Sequence, residues 1–317
     1  MRRYAILFAL VSLFIPVTAF AQSQAPEAAV NLFKNAVRKS GNGDLDGAIE
    51  DYTRAINLSS SLDTRKHARG NSFSASGNTA SEEITVVDPF TANAYSNRGL
   101  ARYQKGDYEG AMADFNAALR IRPGLAVAYL NRAAALRATG DTLGAIKDLD
   151  KAISLDKSLY QAYNNRGSLY VDSGNSTAAL ADLNRAIELN NKGVESFYHR
   201  GYAYLGLANF DAAIADFSRA IKLDPKMAWA YHGRGTALMK KGEMLPAMDD
   251  FTRALELNPR IAWSYFNRGL ISVFLGDESK AQPDFDECLK LKPELKAEME
   301  RRITLARQLR RMGKMLE

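Results

Sequence analysis

The sequence predicts an all-α chain: seven helical hairpins in series, closed by one further helix. Three observations predict it. Residues Ala92 to Leu295 repeat with a period of 34. Within each period the small and apolar positions are spaced by three and four, as on one face of a helix. Halfway through, a glycine followed by a capping residue recurs as Gly106-Asp107, Gly140-Asp141, Gly174-Asn175, Gly242-Glu243 and Gly276-Asp277. The composition suits a globular chain of this kind: 317 residues, 46% hydrophobic and 25% charged. A single cysteine excludes a disulfide framework and a zinc site built on several thiolates.

In chain order, Arg2 and Arg3 precede an apolar run from Tyr4 to Phe20 that closes on Ala19-Phe20-Ala21. This is the layout of a secretory signal peptide over 1–21, cleaved after Ala21, which places the mature chain in the periplasm or outside the cell. A run of about 17 residues containing Pro16 is short for a membrane anchor, which needs about 20. Without Arg2 and Arg3 the charge balance is 40 minus 36, or +4. So diffuse an excess argues against nucleic-acid binding. After a short segment at 22–28, a weaker first hairpin spans 29–62, with Leu32, Ala36, Gly43-Asp44, Ala48, Tyr52 and Ala55 in register. A Ser-, Gly- and Asn-rich insertion over 63–91 is expected to be a surface loop. Its Ile84-Thr85-Val86-Val87 is an alternative occupant of the protein's own groove.

Repeats two to seven fill 92–295. An aromatic column runs through Tyr95, Tyr129, Tyr163, Phe197, Tyr231 and Tyr265, and a small-residue column through Gly99, Ala133, Gly167, Gly201, Gly235 and Gly269. Two further columns are Ala111, Ala145, Ala179, Ala213, Ala247, Ala281 and Phe115, Leu149, Leu183, Phe217, Phe251, Phe285. Ala118, Ala152, Ala186, Ala220, Ala254 and Cys288 form the last, which makes Cys288 a buried packing residue. Prolines 123, 225, 259 and 293 close their repeats. Ala208 interrupts the glycine column and predicts a strained turn. Residues 296–317 form a basic helix whose Leu295, Met299, Ile303 and Ala306 make one apolar stripe, the terminal cap that a solenoid needs. Its arginines could alternatively meet anionic lipid headgroups.

These columns resemble the tetratricopeptide repeat, in which Gly or Ala, aromatic, Ala and Pro recur at the same offsets. The resemblance implies a solenoid whose first helices line a concave groove, and a role in protein–protein interaction without catalysis.

Two ladders sit on this frame. Arg98, Arg132, Arg166, Arg200, Arg234 and Arg268 occupy a position that is usually apolar in the family. Sixteen residues later stand Asp114, Asp148, Asp182, Asp216, Asp250 and Asp284, so each arginine is expected to pair with its own repeat's aspartate. Recognition of an acidic ligand is the competing use. In the first hairpin Asn35 replaces the arginine while Asp51 persists. One residue before the arginines come Asn97, Asn131, Asn165 and Asn267, interrupted by His199 and Gly233. An amide both donates and accepts, so such a row can hold an extended peptide backbone, and related repeat proteins carry such rows. The basic clamp by which some relatives hold a C-terminal carboxylate is missing: Val127, Gln161, Glu195, Trp229 and Trp263 stand at the matching places. Instead Tyr198, Tyr202, Trp229, Trp263 and Phe266 offer an aromatic set to bury ligand side chains.

No catalytic constellation or phosphate loop emerges, and no cofactor is implied. His199 and His232, with Glu195, are the only candidates for a metal or hydrolytic site, one ligand short without the glutamate. The sequence therefore reads as an envelope scaffold that takes an extended segment of a protein partner. The rival is a self-associating structural module with no peptide ligand.

Overall fold

The protein is described by a computed structural model covering residues 25–70 and 89–313, with backbone alone over 61–70. The expected leader and the Ile84–Val87 segment lie outside the described residues. The described residues form fifteen α-helices and a 3-10 turn at Pro293–Leu295, with no strand among them. They fall into two compact units, one up to Ala162 and one from Tyr163.

The first unit holds α1 (Glu27–Gly41), α2 (Leu45–Gly70), α3 (Pro89–Lys105), α4 (Tyr108–Ile121), α5 (Ala126–Ala138) and α6 (Thr142–Leu155). Helices pair as α1/α2, α3/α4 and α5/α6, and each second helix also packs on the first helix of the next hairpin. The first helices α1, α3 and α5 touch in succession. A lone hairpin cannot bury its apolar face, and this stacking does so. Phe33 anchors the start, with Tyr52 edge-on at 5.3 Å and Phe90 at 5.5 Å. The segment expected as a loop over 63–91 is helical at both ends, because α2 runs on to Gly70 and α3 begins at Pro89. No proline or glycine stands between Gly47 and Gly70 to stop α2, and proline suits the first position of a helix.

In the second unit α7 (Tyr160–Asp172), which starts just before the boundary, is followed by α8 (Ser176–Leu189), α9 (Val194–Gly206) and α10 (Phe210–Leu223). Then come α11 (Ala228–Lys241), α12 (Met244–Leu257), α13 (Ala262–Leu275), α14 (Glu278–Leu291) and α15 (Lys296–Arg311). The pairing rule continues through α13/α14, and α15 lies against α13. Met299 and Ala306 put the apolar stripe of α15 into the core beside Phe285 and Cys288. Arg307 fastens it with two bonds to Glu278, at 3.0 and 2.6 Å. Burial in this apolar column pushes the Cys288 thiol up to about 11.

The turns inside hairpins follow one recipe. Gly106, Gly140, Gly174, Gly242 and Gly276 all take positive φ, between 79° and 93°. Asp107, Asp141, Asn175 and Asn209 then cap the second helix by accepting from a backbone N–H three residues on. The small-residue column serves close approach: a Cβ on Gly201 would stand 2.8 Å from the Phe217 ring. Ala208 adopts φ 57°, the one non-glycine residue at positive φ among the described residues.

The arginine column ties the layers together. Arg132 Nε and Nη2 each donate to Asp148 at 2.7 Å, and the same two-bond grip joins Arg98 to Asp114, Arg200 to Asp216, Arg234 to Asp250 and Arg268 to Asp284. Arg166 holds Asp182 likewise, at 2.7 and 2.6 Å. Each guanidinium also lies 5.2 to 6.0 Å from the centre of its repeat's aromatic ring, Tyr95 through Tyr265. The aspartates are buried and the arginines partly so, and their hydrogen bonds with the carboxylates raise the pKa values of Arg132, Arg200, Arg234 and Arg268. A third contact reaches back one repeat, from Nη1 to Thr53, Asn116, Asn184, Ser218 and Thr252, at 2.7 to 3.1 Å. In the first hairpin, where Asn35 takes the ladder position, Lys39 pairs with Asp51 at 2.7 Å and Arg54 approaches it at 4.0 Å.

Two outcomes follow from these contacts. Asp148→Ala strands a half-buried guanidinium and is expected to cost about 2 kcal/mol in urea unfolding. The cycle with Arg132→Ala should return a coupling of at least about 1 kcal/mol. Ala208→Gly relieves the left-handed turn and should stabilise by about 1 kcal/mol, read as a higher Tm, whereas Gly174→Ala should lower it by a similar amount.

Candidate functional site

The first helix of each hairpin carries the residues that the sequence singles out. On α3 and α5, Asn97 and Asn131 are 3% and 2% exposed. Neither amide closes a hydrogen bond through its oxygen or its nitrogen, although the Tyr52 hydroxyl approaches Asn97. Burial holds that hydroxyl well above the ordinary tyrosine range. Beside them, the Asn93 Oδ1 and Ser96 Oγ atoms are buried and unbonded as well. Buried amides are normally paired, and the amides of Asn97 and Asn131 depart from that rule.

On α7, Asn165 is half-buried and accepts from Asn164 Nδ2 at 3.4 Å, and Asn267 on α13 is buried. The aromatic set divides. Tyr198, Tyr202 and Phe266 are buried, so they are not the exposed platform that the sequence suggests. Tyr198 and Tyr202 turn their edges to Phe217 at 6.1 and 5.1 Å, and Phe266 joins the core around Phe251 and Phe285. Trp229 and Trp263 stay half-buried, each with an edge contact one helical turn on, to His232 at 5.7 Å and Phe266 at 5.4 Å.

Two lateral rungs that sequence reasoning missed join first helices of adjacent hairpins. Ser196 Oγ donates to Asn164 Oδ1 at 2.9 Å, and His232 Nδ1 meets Ser264 Oγ at 2.8 Å. Both pairs are 32 residues apart, two short of the period, so no column of the repeat contains both partners. His199 lies against the Tyr198 ring at 5.3 Å. Among the described residues no group of three His, Cys, Asp or Glu side chains is placed to hold a metal ion. The six ladder arginines are tied to aspartates, which leaves an acidic ligand little to bind there. Also among the described residues, no helix is long and apolar enough to cross a membrane.

Burial among Trp229, Phe251 and Ser264 lowers the His232 pKa from 6.5 to about 4. The imidazole is therefore neutral in the fold, and protonation favours the unfolded chain. Stability is full above pH 6.5 and falls as the pH drops toward 4, by about 2 kcal/mol at pH 5. Thermal unfolding at pH 7 and pH 5 checks this, and His232→Gln should flatten the difference.

The chain matches known proteins throughout this repeat region. A tetratricopeptide repeat profile matches residues 194–227, a second such profile matches 126–159, 230–261 and 264–295, and a TPR repeat profile matches 99–140 and 167–207. Among solved structures, a tetratricopeptide repeat protein from Parabacteroides merdae aligns over 89% of this chain and 99% of its own, with a TM-score of 0.59 at 20% identity. PilF of Pseudomonas aeruginosa aligns over 70% of this chain and 97% of its own, with a TM-score of 0.58 at 20% identity. Among curated proteins, the heat-shock protein cognate co-chaperone sgt12 of Aspergillus fumigatus is 33% identical over 112 residues, 30% of this chain. The chain spans about a third of that relative's length. With the period, the paired helices and these matches in agreement, the chain belongs to the tetratricopeptide repeat family.

Proposed function

We propose that this protein is a non-catalytic scaffold of the bacterial cell envelope that takes an extended segment of a partner protein onto its first-helix face. Family membership supports a protein-interaction role, and the leader-like residues 1–21 support export. The observation that carries the peptide reading is the pair of buried, unbonded amides of Asn97 and Asn131. Each such group costs about 1–3 kcal/mol when left unpaired. An extended backbone offers both an N–H and a C=O to each amide, so an occupant removes that cost. Asn165 and Asn267 repeat the element in the second unit, where Trp229 and Trp263 supply apolar area for ligand side chains. The buried Tyr198, Tyr202 and Phe266 support that surface from beneath.

Crosslinking in the intact envelope, followed by identification of the linked protein, tests the assignment. The triple change Asn131→Ala, Asn165→Ala and Asn267→Ala should abolish the crosslink while leaving the thermal midpoint nearly unchanged. Undiminished crosslinking by the triple variant would reject the assignment.

A further inference from the structure

We infer that the outward face of the capping helix α15 docks on the surface of an anionic phospholipid bilayer, its arginines at the headgroup phosphates and Leu305 and Met312 beneath them. The inference is independent of the peptide-binding reading and concerns a different surface. α15 buries one stripe and leaves another open. Met299 and Ala306 enter the core, whereas Ala297, Arg301, Leu305, Gln308, Arg311 and Met312 are exposed and recur at helical spacing, on a single face. Leu305 is 41% exposed and Met312, seven residues on, is 61% exposed.

The charge on this helix is 6 minus 2, or +4: Lys296, Arg301, Arg302, Arg307, Arg310 and Arg311 against Glu298 and Glu300. Residues 301–313 hold five arginines and no acidic residue. Arg301 pairs with Glu298 one turn back, and Arg307 with Glu278 of α14. Arg310 leans over Gly276, within electrostatic reach of the same glutamate. Arg302 is half-buried on one flank and Glu300 exposed on the other. Even with Glu278 counted, the balance is 6 minus 3, or +3, and Arg311 pairs with no acidic side chain among the described residues.

The mixture of arginine and apolar side chains on one face selects the occupant. An acidic protein would answer the arginines but must also offer a pocket to each projecting apolar side chain. A second copy would bring like charge against like. A bilayer surface is layered in the same order as this face, phosphates outside and acyl chains beneath, and a convex helix rests on it without a groove. Guanidinium takes phosphate through paired N–H bonds while its aliphatic stem lies along the apolar layer.

Vesicle flotation tests the inference, with the chain beginning at Gln22, which keeps every described helix. Vesicles of phosphatidylcholine with about one third phosphatidylglycerol should carry the protein at least about tenfold better than phosphatidylcholine alone. Salt at about 0.5 M should release most of it. The double change Arg301→Gln and Arg311→Gln should lower partition at least about tenfold, and Arg301→Lys with Arg311→Lys should stay within about threefold of the parent. Leu305→Ser with Met312→Ser should lower it by about tenfold as well, with the Tm of every variant nearly unchanged because all four side chains are exposed. No flotation on the anionic vesicles, or equal flotation on phosphatidylcholine alone, overturns the inference. Undiminished binding by the serine variant overturns it too, since the face then meets anions by charge alone, as it would meet an acidic protein.

Discussion

The guanidinium in the first helix of each repeat is the interaction on which the rest of the structure depends. It makes three kinds of contact: two bonds to its own second helix, one to the second helix before it, as at Arg98, Arg132, Arg200, Arg234 and Arg268, and a face of its own aromatic ring. The first contact closes a hairpin, and the second registers that hairpin against its predecessor. Hydrophobic stacking has no direction of its own and would tolerate sliding; a fork of donors facing fixed oxygens does not. The family usually fills this place with an apolar side chain. Here a charge network partly open to water replaces it, which brings geometric specificity more than net stability.

The same commitment shapes the chemistry left for a visitor. With the arginines consumed between layers, the first helices present amides, hydroxyls and indoles in place of a basic clamp. The two units differ in this respect. The first concentrates unbonded neutral polar atoms at Asn93, Ser96, Asn97 and Asn131. The second ties its polar residues into rungs, Ser196 with Asn164 and His232 with Ser264, and keeps its half-buried surface in Trp229 and Trp263.

Much of this architecture was legible before any coordinates, because a fixed period turns every packing contact into a column. The glycine turns and the exception at Ala208 could be read directly, since only a left-handed residue closes that hairpin. The acceptors Thr53, Asn116, Asn184, Ser218 and Thr252 escaped notice although they are also periodic. Their residue types vary, and a hydroxyl or amide on a second helix reads as ordinary surface. Burial of Tyr198, Tyr202 and Phe266 was hidden for another reason. A first helix touches its own partner, the preceding hairpin and the following one, and a one-dimensional pattern does not say which contact claims an aromatic ring.

Arg98 reaches Thr53 across a sequence gap of 45 residues, while the equivalent bonds elsewhere span 16, and Thr91 Oγ1 meets Ser59 Oγ at 2.9 Å across the same joint. The difference of 29 is the length of the inserted stretch between the first two hairpins. Side chains on the two flanks of this joint thus hold it directly, with the same kind of bond that elsewhere joins hairpins linked by a short turn. Such a joint is a natural grafting point, where evolution can lengthen, shorten or replace the linking chain while the stack on either side keeps its register.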